Sequence, residues 1–254
     1  MKHTLIHQLQ EQKTFGRKAF AILVDPDKAG GANMHAILDR AEAARADIIL
    51  VGGSLVMGGE IHELVPLIKS RTRIPVVLFP GSLYQIVPEA DAILFLSLIS
   101  GRNADLLIGK HVEAAPILRQ TQLEILATGY MLIDAGKATT ANYISNTFPI
   151  PWDKPDIAAC TALAGEMLGL RMIYMDGGSG AQRSVSTDMV RAVSQVIQIP
   201  LIVGGGIRNA EDARKIWEAG ADMIVIGQAV ESDPEGDLIS RIAEIKDQLN
   251  LKYS

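Results

Sequence analysis

Three apolar runs in the last third of the chain break into glycine, and a helical pattern follows each of them. The first, Ile173-Tyr174-Met175, stops at Asp176 and opens into Gly177-Gly178-Ser179-Gly180-Ala181. The second runs from Ile199 to Val203 and into Gly204-Gly205-Gly206, and the third runs from Ala221 to Ile226 and into Gly227-Gln228. Glycine lets backbone N–H groups approach a ligand closely, and a helix start behind it adds unpaired donors and partial positive charge. This is the chemistry of an anion site, and three such loops predict a phosphate.

Two acids end apolar runs. Asp25 follows Ala19-Phe20-Ala21-Ile22-Leu23-Val24 and precedes Pro26-Asp27-Lys28. A carboxylate at the end of a buried strand needs a partner, and Mg2+ is a natural one because it takes carboxylates, water and substrate phosphates. Ser54, ending the next run, would add a hydroxyl ligand. Without a metal, Asp25 reads as a helix cap or ion pair and Ser54 as part of a plain turn. Tyr174 and Asp176 lie one alternation apart and face the same side. The carboxylate can accept a hydroxyl proton and the phenol can orient a phosphate or diol; the plainer reading is a hydrogen-bonded layer closing the fold. Arg102, Lys110, His111 and Arg208 offer charge for a second anionic group, although a solvated face is the default for each. Met131, Leu132, Phe148 and Trp152 suit an apolar channel, with core or loop packing as the default.

The elements that position these residues follow from the apolar pattern. A helix is predicted over 4–12, then strands over 19–24, 47–51, 74–79, 92–97 and 124–127, the last running into Thr128-Gly129-Tyr130. Pro26 keeps Asp25 out of helical geometry, and Asp27 or Asn33 is expected to cap the helix covering Met34, Ile37, Leu38 and Ala41. Residues 136–156 hold Thr, Asn and three prolines and read as a long loop before a helix at 157–168. Asn209-Ala210-Glu211-Asp212 starts a helix with capping-box-like spacing, and 237–249 is an amphipathic closing helix. The segment 46–52 echoes 221–227. Eight parallel runs with glycine or acid at their C-terminal ends fit a single (β/α)8 TIM barrel over 1–254, with phosphate-binding loops after strands 6, 7 and 8. An open doubly wound sheet fits less well, since no GxGxxG turn follows the first strand.

Composition bounds the function classes. The 254 residues are 48% hydrophobic and 21% charged, an ordinary globular balance with ample core. A net charge of −5, from 24 basic and 29 acidic side chains, argues against a sequence-independent nucleic-acid binder. Cys160 is the single cysteine, so no internal disulfide forms, and a reducing cytoplasm is the expected setting. No apolar run approaches the roughly 20 residues of a spanning helix, so any meeting with a membrane is a transient surface contact. The five histidines show no zinc spacing.

Read together, Leu23-Val24-Asp25-Pro26-Asp27-Lys28, Val51-Gly52-Gly53-Ser54, Thr128-Gly129-Tyr130, the run from Tyr174 to Ala181, Gly204-Gly205-Gly206-Ile207 and Ile226-Gly227-Gln228 resemble the geranylgeranylglyceryl phosphate synthases and their bacterial heptaprenylglyceryl phosphate relatives. The Ser100-Gly101-Arg102-Asn103 stretch resembles the larger, group II-like branch. The resemblance implies a Mg2+-dependent prenyltransferase joining sn-glycerol 1-phosphate to a long prenyl diphosphate on a homo-oligomeric barrel, a dimer or hexamer. By matching position it implies Asp25 and Ser54 at Mg2+. It implies Tyr174, Met175, Asp176, Gly177, Gly178, Ser179, Gly180, Gly205, Gly206, Gly227 and Gln228 at glycerol 1-phosphate, with Asp25, Tyr174 and Asp176 catalytic. Many members carry Glu where this chain has Asp176, so the base role is the open point. The chemistry also calls for an apolar groove to take the prenyl tail. Two other readings remain at this point, a different barrel enzyme acting on a small sugar phosphate and a non-catalytic phosphometabolite binder.

Overall fold

The computed structural model describes residues 4–28, 31–58, 60–231, 233 and 237–251. Helix α1 (Leu5–Thr14) leads into β1 (Ala19–Val24), after which strands and helices alternate: α2 (Gly31–Ala43), β2 (Ile48–Gly53), α3 (Ile61–Arg71), β3 (Val76–Pro80), β4 (Ala92–Leu98), α4 (Lys110–Leu118) and β5 (Glu124–Leu132). The second half holds α5 (Thr140–Ser145), α6 (Pro155–Met167), β6 (Met172–Asp176), α7 (Thr187–Ser194), β7 (Leu201–Gly204), α8 (Ala210–Glu218), β8 (Met223–Ile226), α9 (Gln228–Glu231) and α10 (Asp237–Leu251). Only a 3-10 turn at Leu83–Gln85 links β3 to β4, and a π-helical turn, Asp105–Gly109, leads into α4. The eight strands are parallel and close in chain order, with Ala19 of β1 opposite Met223 of β8. This is the (β/α)8 barrel that the sequence predicts. Among the described residues no helix is long and apolar enough to cross a membrane.

Alternation along each strand sorts the side chains into two layers. Ala21, Leu50, Val77, Leu94, Leu126, Tyr174 and Ile202 fill the barrel. Ile22, Val51, Leu78, Ile93, Met175, Val203 and Ile226 pack outward under the helices. The same phase carries Asp25, Ser54 and Asp176 inward as their strands end. At the opposite end Leu5, Ile6 and Leu9 of α1 join the inner layer and plug the barrel. Glu124 fixes that plug, accepting from the N–H groups of Leu5 (2.7 Å) and Ile6 (3.0 Å). These are among the donors that a helix leaves unpaired at its start.

The internal echo has a structural meaning. Asp47, just before β2, accepts from Phe20 N of β1 (3.0 Å), and Asp222, just before β8, accepts from Leu201 N of β7 (2.8 Å). Asp91, just before β4, does the same for Val76 N of β3 (2.8 Å). Each carboxylate satisfies a backbone donor at the start of the preceding strand.

Several local expectations change. β5 does not stop at Ala127; Thr128-Gly129-Tyr130 continue the strand to Leu132. Gly129 serves packing there, since a Cβ would lie 2.8 Å from Ile173 Cδ1. Residues 136–156 are not simply a loop. They hold α5, started by a capping box between Thr139 and Asn142, and the bridge between Ile133 and Ile150. Asn33 falls inside α2, with its side chain outside the described part, so it is not that helix's cap. Asp27 accepts from Met57 N (2.9 Å) and Gly58 N (3.1 Å) in the loop after β2, while residues that join it to α2 lie outside the described part. Asn209 caps α8 as expected, accepting from Asp212 N (2.8 Å).

Candidate active site

The C-terminal ends of the strands surround a wide mouth. Asp25 and Lys28 line it after β1, Ser54 and Leu55 after β2, Tyr174 and Asp176 at β6, and the glycine loops after β6, β7 and β8. Gly178, Ser179, Gly180, Gly205, Gly206 and Gly227 all border this space. The loops after β6 and β7 are tightly interlocked, with Gly177 N donating to Gly204 O (3.0 Å). At Gly205 φ is +80°, and a Cβ would stand 2.6 Å from Gly178 N, so both backbone hand and space require glycine. Of the other predicted contacts, Met175 and Gly177 are not among the residues that border the mouth. The Met175 side chain is fully buried in the outer layer, leaving only its backbone near the mouth. Gln228 opens α9, and its side chain lies outside the described part.

Asp176 is the most constrained group in the mouth. It is 7% exposed, its Oδ2 accepts from Tyr130 OH at 2.5 Å, and its Oδ1 accepts from Gly178 N at 2.7 Å. Burial pushes its pKa above the usual carboxylate range, while the two donated bonds pull it back. The phenols of Tyr130 and Tyr174 are pushed well above their ordinary pKa, first by burial and then by the Asp176 charge, so both stay protonated. Tyr174 faces the mouth as expected, stacked on Phe79 with centroids 5.3 Å apart and edge-on to Tyr130 at 5.5 Å. Tyr130 sits opposite Tyr174 in the β5–β6 register.

Asp25 and Ser54, the two residues expected at Mg2+, both line the mouth. Among the described residues no cluster of three or more acids, histidines or cysteines could hold a metal. One carboxylate and one hydroxyl bordering the same space form a donor set that Mg2+ would have to fill out with water and phosphate oxygens. Asp25 Oδ2 is paired with Lys28 Nζ at 2.9 Å, and Oδ1 accepts from Asp27 N at 3.1 Å.

A second cavity opens from the mouth through Gly53, Ser54 and Phe79, which border both spaces. It runs between β3 and β4 under the π-turn, α4 and α5, walled by Ile86, Leu96, Leu106, Ala114, Leu118, Leu132 and Ile144. Its lining is mostly apolar, as a groove for a hydrocarbon tail requires. Of the four residues suited to an apolar channel only Leu132 lines it. Met131 is core, Phe148 is 93% exposed, and Trp152 donates to Ser184 O (3.0 Å) beneath Arg183. The candidate cations scatter as well. Lys110 pairs with Glu113 (3.0 Å), Arg102 donates to Gly101 O (2.8 Å), and Arg208, at the mouth, donates to Ala181 O (2.8 Å). His111 is not solvated. It is buried in the groove wall, edge-on to Phe95 and 3.3 Å from Ser97 Oγ, and desolvation lowers its pKa, which favours the neutral imidazole.

Sequence reasoning missed Tyr130 as a functional residue. It borders the groove while its partner Asp176 borders the mouth, so their hydrogen bond stands where the two compartments meet. The available signal was the phenol ending the Thr128-Gly129-Tyr130 motif.

Comparison with known proteins agrees with this geometry. A family model described as "PcrB family" matches residues 9–246. The chain is 53% identical over 242 residues to a geranylgeranylglyceryl phosphate synthase of Spirosoma linguale, covering 95% of this chain and 96% of the relative. It is 48% identical over 244 residues to one of Chitinophaga pinensis, covering 96% of each. Among solved structures it superposes with a TM-score of 0.90, at 34% identity and over 96% of this chain and 99% of the other, on (S)-3-O-geranylgeranylglyceryl phosphate synthase from Thermoplasma acidophilum in complex with substrate sn-glycerol-1-phosphate.

Proposed function

The chain belongs to the PcrB family, and on that premise we propose that it is a prenyltransferase joining sn-glycerol 1-phosphate to a long prenyl diphosphate, geranylgeranyl diphosphate foremost. The products are an ether-linked prenylglyceryl phosphate and diphosphate, a step of ether-lipid synthesis. The observation that carries the proposal is the junction of a glycine-lined anion mouth with an apolar groove at the Tyr130–Asp176 hydrogen bond. An acceptor that is small and anionic and a donor that is long and apolar each find a matching compartment.

In this reading the loops at Gly178–Gly180, Gly205, Gly206 and Gly227 hold the acceptor phosphate and bring the glycerol hydroxyl beside Asp176. The hydroxyl oxygen bonds to prenyl C1 as the C1–O bond to diphosphate breaks. The diphosphate leaves with that electron pair, and the hydroxyl proton passes to the Asp176 carboxylate. Tyr130 OH and Gly178 N fix the carboxylate, so little reorganisation is needed. Aspartate therefore suits the base role despite being shorter than glutamate, because β5 brings Tyr130 to it. Tyr174, Tyr130 and Phe79 surround the junction, and aromatic faces favour positive charge building on an allylic carbon. Asp25 and Ser54 would hold Mg2+, which when bound supplies positive charge to the departing diphosphate. A cytoplasmic setting, transient contact with a membrane surface to collect the lipid donor, and a dimer or hexamer complete the proposal. Its oligomeric part draws on apolar side chains left at the surface, Phe148 and Leu168 among them.

The test is ether formation by the purified protein with Mg2+, geranylgeranyl diphosphate and either sn-glycerol 1-phosphate or sn-glycerol 3-phosphate. Product from the 1-phosphate alone, lost in Asp25→Ala and reduced about 10²- to 10⁴-fold in Asp176→Asn, is expected. No product with either acceptor, repeated with longer donors, would sink the proposal.

A further inference from the structure

Five cationic side chains line the mouth among the described residues, Lys28, Lys137, Arg208, Arg214 and Arg241, and they stand on different sides of it. Arg208 stands after β7, beside the loops assigned to the acceptor phosphate, and is already turned onto Ala181 O. Lys28 stands after β1, among Asp25, Ser54 and Leu55, on the side where the mouth opens into the apolar groove. A prenyl donor with its tail in that groove must leave its diphosphate on the Lys28 side. The ammonium lies 2.9 Å from Asp25 Oδ2, with side-chain exposures of 49% and 28%. A pair this exposed contributes little to stability. The segment is nevertheless held in place, since Asp27 binds the backbone of Met57 and Gly58 and its own N–H donates to Asp25. The same carboxylate is the one acid offered to Mg2+, and an ammonium and a divalent cation crowded onto it repel each other.

We infer that Lys28 is a diphosphate-binding residue that rests on Asp25 in the ligand-free protein and moves to the donor's diphosphate when the metal takes the carboxylate. The inference rests on the transferase reading above. The exchange swaps ion pairs and makes or breaks no covalent bond. Asp25 trades an ammonium for the metal, and the ammonium trades a carboxylate for phosphate oxygens. A compact charge on a flexible four-carbon stem suits such a move, and lysine binds phosphate as a point charge. The Asp25–Lys28 pair also keeps the carboxylate neutralised in the open mouth before substrates arrive.

Calorimetry on wild type, Lys28→Met and Lys28→Arg tests this with two ligands, sn-glycerol 1-phosphate and geranylgeranyl thiolodiphosphate in the presence of Mg2+. Binding of Mn2+ alone, followed by loss of its free electron-spin-resonance signal, gives a third readout. Lys28→Met is expected to weaken the thiolodiphosphate about tenfold to a hundredfold, leave glycerol phosphate unchanged, and tighten Mn2+ alone; Lys28→Arg is expected to restore most of the thiolodiphosphate affinity. A Lys28→Met protein that melts like wild type and binds the thiolodiphosphate equally well overturns the inference. So does one that loses glycerol phosphate to the same degree, or binds Mn2+ more weakly. Wild type that binds neither organic ligand removes the transferase reading itself, and the role of Lys28 with it.

Discussion

Asp176 gives both carboxylate oxygens to fixed donors, Tyr130 OH and Gly178 N, while sitting almost out of water. Burial raises its pKa and the Tyr130 bond lowers it, so Tyr130→Phe removes a lowering contribution and the pKa climbs further. A base works only when ionised. The acid limb of kcat/KM against pH is therefore expected to move to higher pH in Tyr130→Phe, and a limb that stays in place would show that the phenol does not act on this carboxylate. The raised pKa also bears on stability. A group whose folded pKa exceeds its unfolded value contributes stability that is complete below the unfolded pKa and lost as pH rises through the folded one. Asp176→Asn does not ionise, so its melting temperature relative to wild type is expected to rise as the pH climbs above the ordinary carboxylate range. A gap that narrows would contradict the assignment. Asp176 and Tyr174 were legible because strand alternation places them together. Tyr130 was not, because its partner lies 46 residues away and only the β5–β6 register brings the two level.

At the scale of elements, the strands whose apolar runs end in glycine, proline or acid were read closely, and β5 was misjudged because Gly129 looks like punctuation when it serves as a packing notch. Helix α5 was hidden in a stretch rich in threonine, asparagine and proline, where only the Thr139–Asn142 capping pair marks a start. The cap of α1 was equally hidden, because Glu124 belongs to a strand more than a hundred residues away. Glu124→Ala leaves two helix-start donors without their carboxylate, and a loss of about 1 kcal/mol is expected in denaturant unfolding, the usual cost of a missing cap. Catalysis at the far end of the barrel is expected to be unchanged under conditions where the variant stays folded. A fall in activity without a fall in stability would mean that the plug reaches further than its packing suggests.

For the molecule as a whole, the barrel and its glycine-lined mouth were legible because both repeat one local pattern, an apolar strand stopping at small or acidic residues. The tail groove was not, since it is assembled from β3, β4, the π-turn, α4 and α5, and each of its walls reads locally as ordinary core. Ala114, buried in that wall, gives the test. Ala114→Phe is expected to lower kcat/KM for geranylgeranyl diphosphate more than for farnesyl diphosphate while sparing glycerol phosphate binding, and an equal loss for both donors would argue that the tail runs elsewhere. The continuity of mouth and groove also reaches beyond catalysis. Once the ether bond forms, one molecule is gripped at its phosphate end and along its hydrocarbon at the same time, with neither half able to leave alone. Turnover is then expected to be governed by lipid egress, with a rapid first round in a quench-flow trace followed by a slow steady state that detergent micelles or vesicles accelerate, and a trace without the rapid first round would contradict this. On this reading an acceptor bilayer would draw off the product faster than water does.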